Sequence, residues 1–253
     1  MLPLYLMRHG PVGSPEGAAP AGRKDLGLSE TAHALWPAVK RELLELGIQR
    51  VLTSDLRRAK EQALDLGLPT LVLPDLAEQA FGEWEGQPWN EIRGAEAFLS
   101  SPVTTAPPGG ESFAHCASRT LLILQGALDG EASTLVLGHG GPLRAILAHF
   151  LGLSLERALD LAWPCYGLTK LEVHGSNRAV LRYHNRSLPR ATLRASTPPP
   201  GGPRRRPACH QGCAVKAWGL TTESWMFGKQ VRILRCPATV STPASAGRPR
   251  RDH

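Results

Sequence analysis

Two histidines with glycine neighbours follow two short apolar segments that lie far apart in the chain. His9 stands within Arg8-His9-Gly10, directly after Leu2–Met7, and His139 stands within Gly138-His139-Gly140, directly after Ser133–Leu137. Ligands of open parallel sheets bind beyond the carboxyl ends of the strands, so histidines delivered there by separate strands can share one pocket. A neutral imidazole can act as a nucleophile, a base or a phosphate ligand. With arginines nearby, the pair indicates phosphoryl chemistry.

The immediate neighbours of His9 fit that chemistry. Arg8 offers a planar fork to two phosphate oxygens and keeps its charge at any working pH. Gly10 is small, and we expect it to leave room for the close approach of a phosphorus atom. The alternative is a histidine that merely ends a strand.

A second group of candidates, Ser54-Asp55-Leu56-Arg57-Arg58, follows the next apolar segment and opens a helix. Ser54 or Asp55 is the expected N-cap residue, and a helix N-terminus is a favourable place for an anion. Arg57 and Arg58 lie about 100° apart around the helix axis, so only one of them can face a site easily. Two solvated arginines are the alternative.

The segment Leu76–Gly86 supplies three carboxylates, Glu78, Glu83 and Glu85. A partly buried glutamic acid with a raised pKa can protonate a leaving alkoxide. Spacing alone does not choose among the three, and we expect two of them to face solvent.

The hydrophobic pattern predicts short strands alternating with amphipathic helices. The strands are expected at Leu2–Met7, Arg50–Leu52, Thr70–Leu73, Ser133–Leu137, Thr169–Val173 and Ala179–Tyr183. The helices are expected at Ser29–Leu46, Asp55–Leu66, Trp89–Leu99, Ser112–Leu128 and Pro142–Leu151, with Pro37 kinking or dividing the first. This alternation predicts an α/β protein, a three-layer αβα sandwich on a mostly parallel sheet with an antiparallel edge.

The chain of 253 residues changes character near residue 186. Residues 1–185 hold 16 basic against 20 acidic side chains, a net charge of −4, whereas residues 186–253 hold 13 against 2, a net charge of +11. The second part is also rich in proline, a composition typical of disordered chain. We predict a folded domain over residues 1–186 and a basic Pro/Arg-rich tail over residues 187–253. The tail is expected to be disordered or to arise from a shifted reading frame.

The basic charge therefore bears on partners only through the tail. Arg204–Arg206 and Arg248–Arg251 could contact phosphates without sequence preference, and Cys209 and Cys213 have partial metal-ligand spacing. A disordered basic extension is the favoured interpretation, so we expect no bound metal and no nucleic-acid partner.

The remaining composition points to a soluble, cytoplasmic protein. Five cysteines at irregular spacing do not form a disulfide framework. Arg8 interrupts the N-terminal apolar run too early for a secretory signal, and no apolar stretch approaches the roughly 20 residues of a membrane helix. We expect no membrane partner, and the sequence leaves a homodimer open.

Five segments in this order resemble the histidine phosphatase superfamily, also called the phosphoglycerate mutase-like family. They are Arg8–Gly10, Ser54–Ala59, Leu76–Gly86, Pro107–Ser112 and His139–Gly141. The resemblance covers residues 2–185 and nothing after about residue 186. It implies the αβα fold predicted above.

The resemblance also implies roles for the candidates. His9 would be the nucleophile that becomes phosphorylated. Arg8, Arg58 and His139 would hold the phosphoryl oxygens, with Gly140 beside them at the start of a helix. No cofactor would be needed, because arginine and histidine supply the positive field for a transition state close to a free anion.

The same resemblance implies an answer to two choices that spacing left open. It singles out Arg58 over Arg57 for the phosphate. It also singles out Glu78 over Glu83 and Glu85 as the acid that protonates the leaving oxygen and then serves as base for water.

Residues Pro11-Val12 and Asp25–Leu28 resemble the α-ribazole phosphatase branch, whereas the polar residues that many members carry after Arg-His-Gly are replaced by Pro11–Pro15. Phosphoglycerate mutases have a longer insertion between the positions of Glu78 and Pro107, which favours a phosphatase here. We expect a phosphomonoesterase acting through phosphohistidine on a small phosphate ester, with α-ribazole 5′-phosphate as the first candidate.

Several alternatives stay open. One is a phosphoglycerate mutase, and another is a broad-specificity phosphatase. A third, of another class, is a non-catalytic binding protein whose basic tail binds nucleic acid. Trp84, Trp89 and Trp163 could line a pocket for a ring-bearing substrate, although tryptophans more often fill cores.

Overall fold

A computed structural model describes residues 2–13, 19–128 and 130–189. Their strands are β1 (Leu2–Arg8), β2 (Arg50–Thr53), β3 (Thr70–Val72), β4 (Thr134–Gly138), β5 (Gly167–Val173) and β6 (Ala179–Ser187). These form one sheet in the order β3-β2-β4-β1-β5-β6. The first four strands of that order run parallel, whereas β5 is antiparallel to both β1 and β6. The predicted antiparallel edge is confirmed.

The helices of the described residues are α1 (Glu30–Leu44), α2 (Arg57–Asp65), α3 (Glu96–Ser100), α4 (Phe113–Ala127), α5 (Gly140–Leu151) and α6 (Leu155–Leu159). Two 3-10 turns lie at Pro74–Leu76 and Gly82–Trp84. Ser29 and Ser112 cap α1 and α4 by accepting a hydrogen bond from a backbone N–H of the first turn. Gly152, at φ 66°, ends α5 in the left-handed conformation that glycine adopts readily.

Alternation along the strands buries apolar side chains on both faces of the sheet. One cluster joins the sheet to α1 and α2, through Met7, Leu137, Val39 and Ala63. A second cluster joins the opposite face to α4 and α5, through Leu6, Val136, Leu124 and Ile146. Each large side chain buried in this way stabilises the fold by about 1.5–3 kcal/mol. The predicted three-layer αβα sandwich is therefore confirmed.

The connections after β1 and β4 create the crevice in which a ligand can bind. These strands are parallel neighbours, and their last residues, Arg8 and Gly138, are in register. The chain leaves β1 toward α1 on one face and leaves β4 toward α5 on the other. Such a switch point opens a cleft at the carboxyl ends of the strands.

Pro37 does not divide helix α1. It lies on the exposed side of the helix, where water can solvate the carbonyl oxygen that lost its N–H partner. The prediction for one later helix was wrong. Of the predicted helix Trp89–Leu99, only the last turn forms, as α3. Gly94, at φ 73°, lies in the left-handed region and breaks helical propagation before it.

The three tryptophans considered as a pocket lining pack in or against hydrophobic clusters. Trp84 packs edge-on against Phe98 in a small cluster, and Trp89 packs against its margin. Trp163 is buried in the second cluster, which joins the sheet to α4 and α5. The described residues therefore favour the packing interpretation over a tryptophan-lined pocket.

The predicted tail lies outside the described residues, apart from its first three positions, as do Cys209, Cys213 and the two arginine clusters. Among the helices that are described, none combines the length and the apolar character needed to cross a membrane.

Candidate active site

His9 directly follows β1 and is almost fully buried, with 4% of its surface exposed. Its Nδ1 lies 2.6 Å from the carbonyl oxygen of Gly10, and its Nε2 lies 3.2 Å from Nε of Arg58. A carbonyl can only accept a hydrogen bond and a guanidinium N–H can only donate one. Nδ1 must therefore carry the proton and Nε2 the lone pair.

His139 occupies the N-cap position of α5 and is fully buried. Its ring centroid lies 5.1 Å from that of His9, in an edge-on arrangement. Its Nε2 lies 2.7 Å from the hydroxyl oxygen of Ser54. The two imidazoles that the sequence placed at the ends of separate strands are thus in contact.

Ser54 does not cap α2, and neither does Asp55. That helix begins at Arg57, after Leu56, and has no side-chain cap. The Ser54 hydroxyl instead accepts a hydrogen bond from the Leu56 N–H and contacts His139. The N-cap prediction was wrong because a contact 85 residues away in the chain holds the hydroxyl.

Arg58 is the arginine of the pair that faces the site, and only 1% of it is exposed. Beyond its contact with His9, it donates from Nη1 to the Lys24 carbonyl at 2.6 Å and from Nη2 to the Gly22 carbonyl at 2.7 Å. Arg57 is exposed and forms a surface ion pair with Glu61 at 3.0 Å. The geometry agrees with the choice implied by the family resemblance.

Arg8 ends β1 and is partly buried. Its Nη1 donates to the carbonyl oxygen of Trp163 at 2.8 Å. This contact draws the segment after α6 against the end of β1, beside His9.

Glu78 reaches the first turn of α5. Its Oε1 accepts hydrogen bonds from the N–H groups of Gly141 and Gln79, both at 2.9 Å. A Cβ at residue 141 would lie 2.6 Å from that oxygen, so a larger residue there would displace the Glu78 carboxylate. The carboxylate is partly buried, near the helix N-terminus that also carries His139.

The other two glutamates of this loop lie elsewhere. Glu83 is exposed. Glu85 accepts hydrogen bonds from the backbone N–H groups of Phe81 and Arg23 and so ties the loop to the segment before α1. Of the three carboxylates, Glu78 is the one that the structure brings to α5.

An ion pair supports the Glu78 loop, and sequence reasoning missed it. Arg119 on α4 donates to both carboxylate oxygens of Glu111, at 2.6 and 3.0 Å, and to the carbonyl oxygen of Glu78 at 3.1 Å. Glu111 also accepts from the N–H of Ala80 at 2.9 Å. The Pro107–Ser112 turn therefore holds the loop in addition to starting α4.

A buried chain of hydrogen bonds on the other side fixes the peptide of Gly10. The Gly10 N–H donates to Gln62 Oε1 at 2.9 Å, and Gln62 Nε2 donates to the hydroxyl oxygen of Tyr166 at 2.7 Å. The Tyr166 hydroxyl then donates to the carbonyl of Ala32 at 3.0 Å. Neither Gln62 nor Tyr166 was singled out from the sequence.

The reason for glycine at position 10 differs from the predicted one. A Cβ there would lie 2.3 Å from the hydroxyl oxygen of Tyr166 and 3.0 Å from the Cβ of Ala32. The small residue is needed for packing against these side chains, and the expectation that it also makes room for phosphorus stays a prediction.

The surroundings keep both histidines uncharged at neutral pH. Burial, reinforced by Arg8 and Arg58, holds the pKa of His9 well below 6.5. Burial, with His9 and the arginines, does the same for the pKa of His139. Burial likewise raises the pKa of the Cys116 thiol to about 12, so that side chain is not a nucleophile at neutral pH.

Gly140 is the first residue of α5, between His139 and Gly141. The structure thus brings Arg8, His9, Arg58, Glu78, His139 and Gly140 to one end of the sheet. It also adds Ser54, Gln62, Glu111, Arg119, Tyr166 and a further arginine, Arg144, whose Nη1 lies close to Gly140. A fixed imidazole lone pair among guanidinium groups suits nucleophilic attack on an anionic centre such as a phosphate ester.

Comparison with known proteins agrees with this geometry. Residues 4–186 match the histidine phosphatase superfamily (branch 1). The chain is 29% identical over 181 residues to a glucosyl-3-phosphoglycerate phosphatase of Mycolicibacterium vanbaalenii, covering 65% of this chain and 78% of that one. It is 28% identical over 207 residues to an adenosylcobalamin/alpha-ribazole phosphatase of Salmonella typhimurium, covering 71% and 98%.

Among solved structures, it is similar to a mycobacterial glucosyl-3-phosphoglycerate phosphatase in complex with VO3. The TM-score is 0.67 at 27% sequence identity, over 74% of this chain and all of the other. The chain belongs to the histidine phosphatase superfamily, branch 1, and is a phosphatase of that family.

Proposed function

We propose that the protein hydrolyses a small phosphate monoester through a phosphohistidine at His9. The observation that carries the proposal is the pair of hydrogen bonds that place the proton of His9 on Nδ1 and its lone pair on Nε2. Burial and two neighbouring arginines keep that imidazole uncharged at neutral pH. A neutral imidazole with a directed lone pair is ready to attack phosphorus.

In the first step, His9 Nε2 attacks the phosphorus atom and the bond from phosphorus to the ester oxygen breaks. Glu78 is the proposed acid that gives a proton to the leaving oxygen, so an alcohol departs. In the second step, the Glu78 carboxylate takes a proton from water, and the water oxygen attacks phosphorus. The bond from phosphorus to Nε2 breaks, releasing inorganic phosphate and restoring both residues.

The phosphoryl oxygens are proposed to bind Arg8, Arg58, His139 and the N–H of Gly140. As the lone pair of His9 moves to phosphorus, the N–H of Arg58 is freed to donate to a phosphoryl oxygen. Among the described residues, the buried Nδ1 of His139 has no hydrogen-bond partner, and a phosphoryl oxygen would supply one. The N-terminus of α5 adds its dipole.

Two substrates are proposed as candidates, each with its own support. The N-terminal residues and the Salmonella relative favour α-ribazole 5′-phosphate. The mycobacterial relatives, similar in sequence and in structure, favour glucosyl-3-phosphoglycerate. A mutase remains the less supported alternative because the segment between Glu78 and Pro107 is short.

The test of the reaction is turnover by the His9→Ala variant. We expect kcat on an aryl phosphate to fall at least about 1,000-fold while the melting temperature stays near that of the native protein. Acid quench during turnover should trap an acid-labile phosphoryl group on the native protein and none on the variant. His33→Ala, at an exposed histidine of α1, is the matched control. A His9→Ala variant that keeps a tenth of its activity would remove the proposed nucleophile.

A substrate panel tests the specificity. It contains α-ribazole 5′-phosphate, glucosyl-3-phosphoglycerate, 3-phosphoglycerate and an aryl phosphate. A specific phosphatase releases phosphate from one candidate much faster than from the rest. Similar slow release from all four indicates broad specificity, and conversion of 3-phosphoglycerate to its 2-isomer indicates a mutase.

A further inference from the structure

Arg144 stands beside the proposed acid without pairing with it. It lies one turn beyond Gly140 on α5, and helical side chains lean toward the N-terminus of their helix. The point that a Cβ of residue 140 would occupy is 2.9 Å from Arg144 Nη1 and 3.6 Å from Glu78 Oε2. Within the described residues, no carboxylate forms an ion pair with Arg144.

The segment after α6 anchors Arg144 next to Arg8. Arg144 Nε donates to the carbonyl oxygen of Leu161 at 2.8 Å, and Arg8 Nη1 donates to that of Trp163 at 2.8 Å. The carbonyl between them, on Ala162, accepts from the side-chain amide of Asn185. The two arginines are therefore held by carbonyls two residues apart in the chain, and an anion placed between two like charges is stabilised by both.

The edge of the Arg144 guanidinium formed by Nη1 and Nη2 is the part that we assign to that anion. Nε is engaged by Leu161, whereas Nη1 and Nη2 have no hydrogen-bond partner among the described residues. Two parallel N–H groups on this edge match the two oxygens of a carboxylate. Because Glu78 is proposed to protonate the leaving oxygen, a guanidinium beside Glu78 lies on the leaving-group side of the reaction.

We propose that Arg144 binds a carboxylate on the leaving group, so that the site prefers phosphate monoesters of small hydroxy acids. This inference rests on the proposed function and deepens it. It favours glucosyl-3-phosphoglycerate, which carries a glycerate carboxylate, over α-ribazole 5′-phosphate, whose only anionic group is the phosphate that is removed.

The test compares 3-phosphoglycerate with glycerol 3-phosphate, which has CH2OH in place of the carboxylate. A charge-assisted pair predicts that the native protein prefers 3-phosphoglycerate by about 10-fold to 100-fold in kcat/KM. Arg144→Met should lose at least about tenfold on 3-phosphoglycerate and less than about threefold on glycerol 3-phosphate. Arg157→Met, at an exposed arginine of α6, should change neither.

Three outcomes overturn the inference. Equal losses on both substrates would mean that Arg144 acts on the phosphoryl group or on the fold. Absence of a preference in the native protein would overturn it without any variant, even if Arg144→Met fails to fold. If the native protein cleaves neither ester and forms no phosphohistidine, the proposed function fails as well. Turnover without a preference for the carboxylate rejects the role of Arg144 alone.

Discussion

The imidazole of His9 has one hydrogen-bond partner on each nitrogen, and the two partners have opposite polarity. The Gly10 carbonyl fixes the proton, and the Arg58 N–H fixes the lone pair. Both partners come from backbone and side-chain geometry that is in place in the protein itself. The proposed nucleophile is therefore oriented before any phosphate ester arrives, which lowers the entropy cost of attack.

Burial of two neutral histidines predicts a loss of stability in acid. Above about pH 6.5 both side chains are uncharged whether the chain is folded or unfolded, so they contribute no pH dependence. Below that pH, the unfolded chain binds protons that the folded protein excludes, because the folded pKa values of His9 and His139 are lower. The free energy of unfolding should fall by up to about 1.4 kcal/mol per pH unit for each histidine, until the folded pKa is reached.

Urea denaturation between about pH 7.5 and about pH 5, in buffers without phosphate, measures this dependence. His9→Gln removes one of the two titrations and should give a shallower slope than the native protein. Identical slopes for the two proteins would contradict the depressed pKa of His9.

Gln62 should act as a positioning residue for His9. Gln62→Met removes the acceptor of the Gly10 N–H and so loosens the residue whose carbonyl oxygen holds His9 Nδ1. We expect kcat to fall about tenfold while KM changes less than about threefold. Steady-state kinetics measure this, with Glu61→Met on the exposed side of the same helix as control. An equal loss in the control variant, or unchanged kcat in Gln62→Met, would argue against this role.

At the residue scale, the sequence predicted the types of the reacting groups better than their partners. Arg8, His9 and His139 stand out because strand ends and glycines mark them. Gln62 does not, and Ser54 stands out only as a helix cap, because their partners lie 52 and 85 residues away in the chain and leave no local pattern. Likewise, the requirement for glycine at position 10 comes from contact with Tyr166, and no residue near position 10 in the sequence indicates that contact.

At the scale of elements, the loop that carries Glu78 depends on the turn before α4. The Glu111 carboxylate accepts hydrogen bonds from the Ala80 N–H and from Nε and Nη2 of Arg119, and Arg119 in turn donates to the Glu78 carbonyl. Burial acts to raise the pKa of Glu111, but these hydrogen bonds outweigh it and lower the pKa. The pair is thus ionised at neutral pH and fixes the loop by charge-assisted bonds.

Glu111→Ala should therefore reduce catalysis from a distance. Leaving Arg119 and the Ala80 N–H without their acceptor should cost about 1–3 kcal/mol in stability and lower kcat at least about tenfold. Glu83→Ala, at the exposed glutamate of the same loop, is the matched control. Chemical denaturation and kinetics provide the measurements. If Glu111→Ala and Glu83→Ala behave alike, the loop does not need this anchor.

Most element bounds followed from hydrophobic periodicity. The first five strands begin and end within two residues of the predicted bounds. Strand β6 extends four residues beyond Tyr183, through polar positions at the sheet edge where the alternation is lost. Such an edge is defined by backbone pairing with β5, which the side-chain pattern does not encode.

At the scale of the whole molecule, we predict that the segment after Leu188 is needed neither for the fold of the described residues nor for catalysis. Leu188 is 6% exposed in the cluster against α1, and its N–H donates to the Tyr166 carbonyl. A chain that ends at Leu188 should keep kcat/KM within about twofold of the full chain, since every proposed site residue precedes this point. A chain that ends at Val180 should lose its cooperative thermal transition, because it lacks most of β6. Loss of activity in the chain that ends at Leu188 would show that the tail contributes.

Strand β4 lies between β1 and β2, although the chain makes β1 and β2 first. An amino-terminal fragment without β4 therefore has a gap in the middle of its sheet and lacks the second imidazole. Non-local pairing of this kind is intrinsically slow. During refolding, the recovery of catalysis would therefore report the moment at which β4 pairs with β1 and β2 and brings His139 to the site.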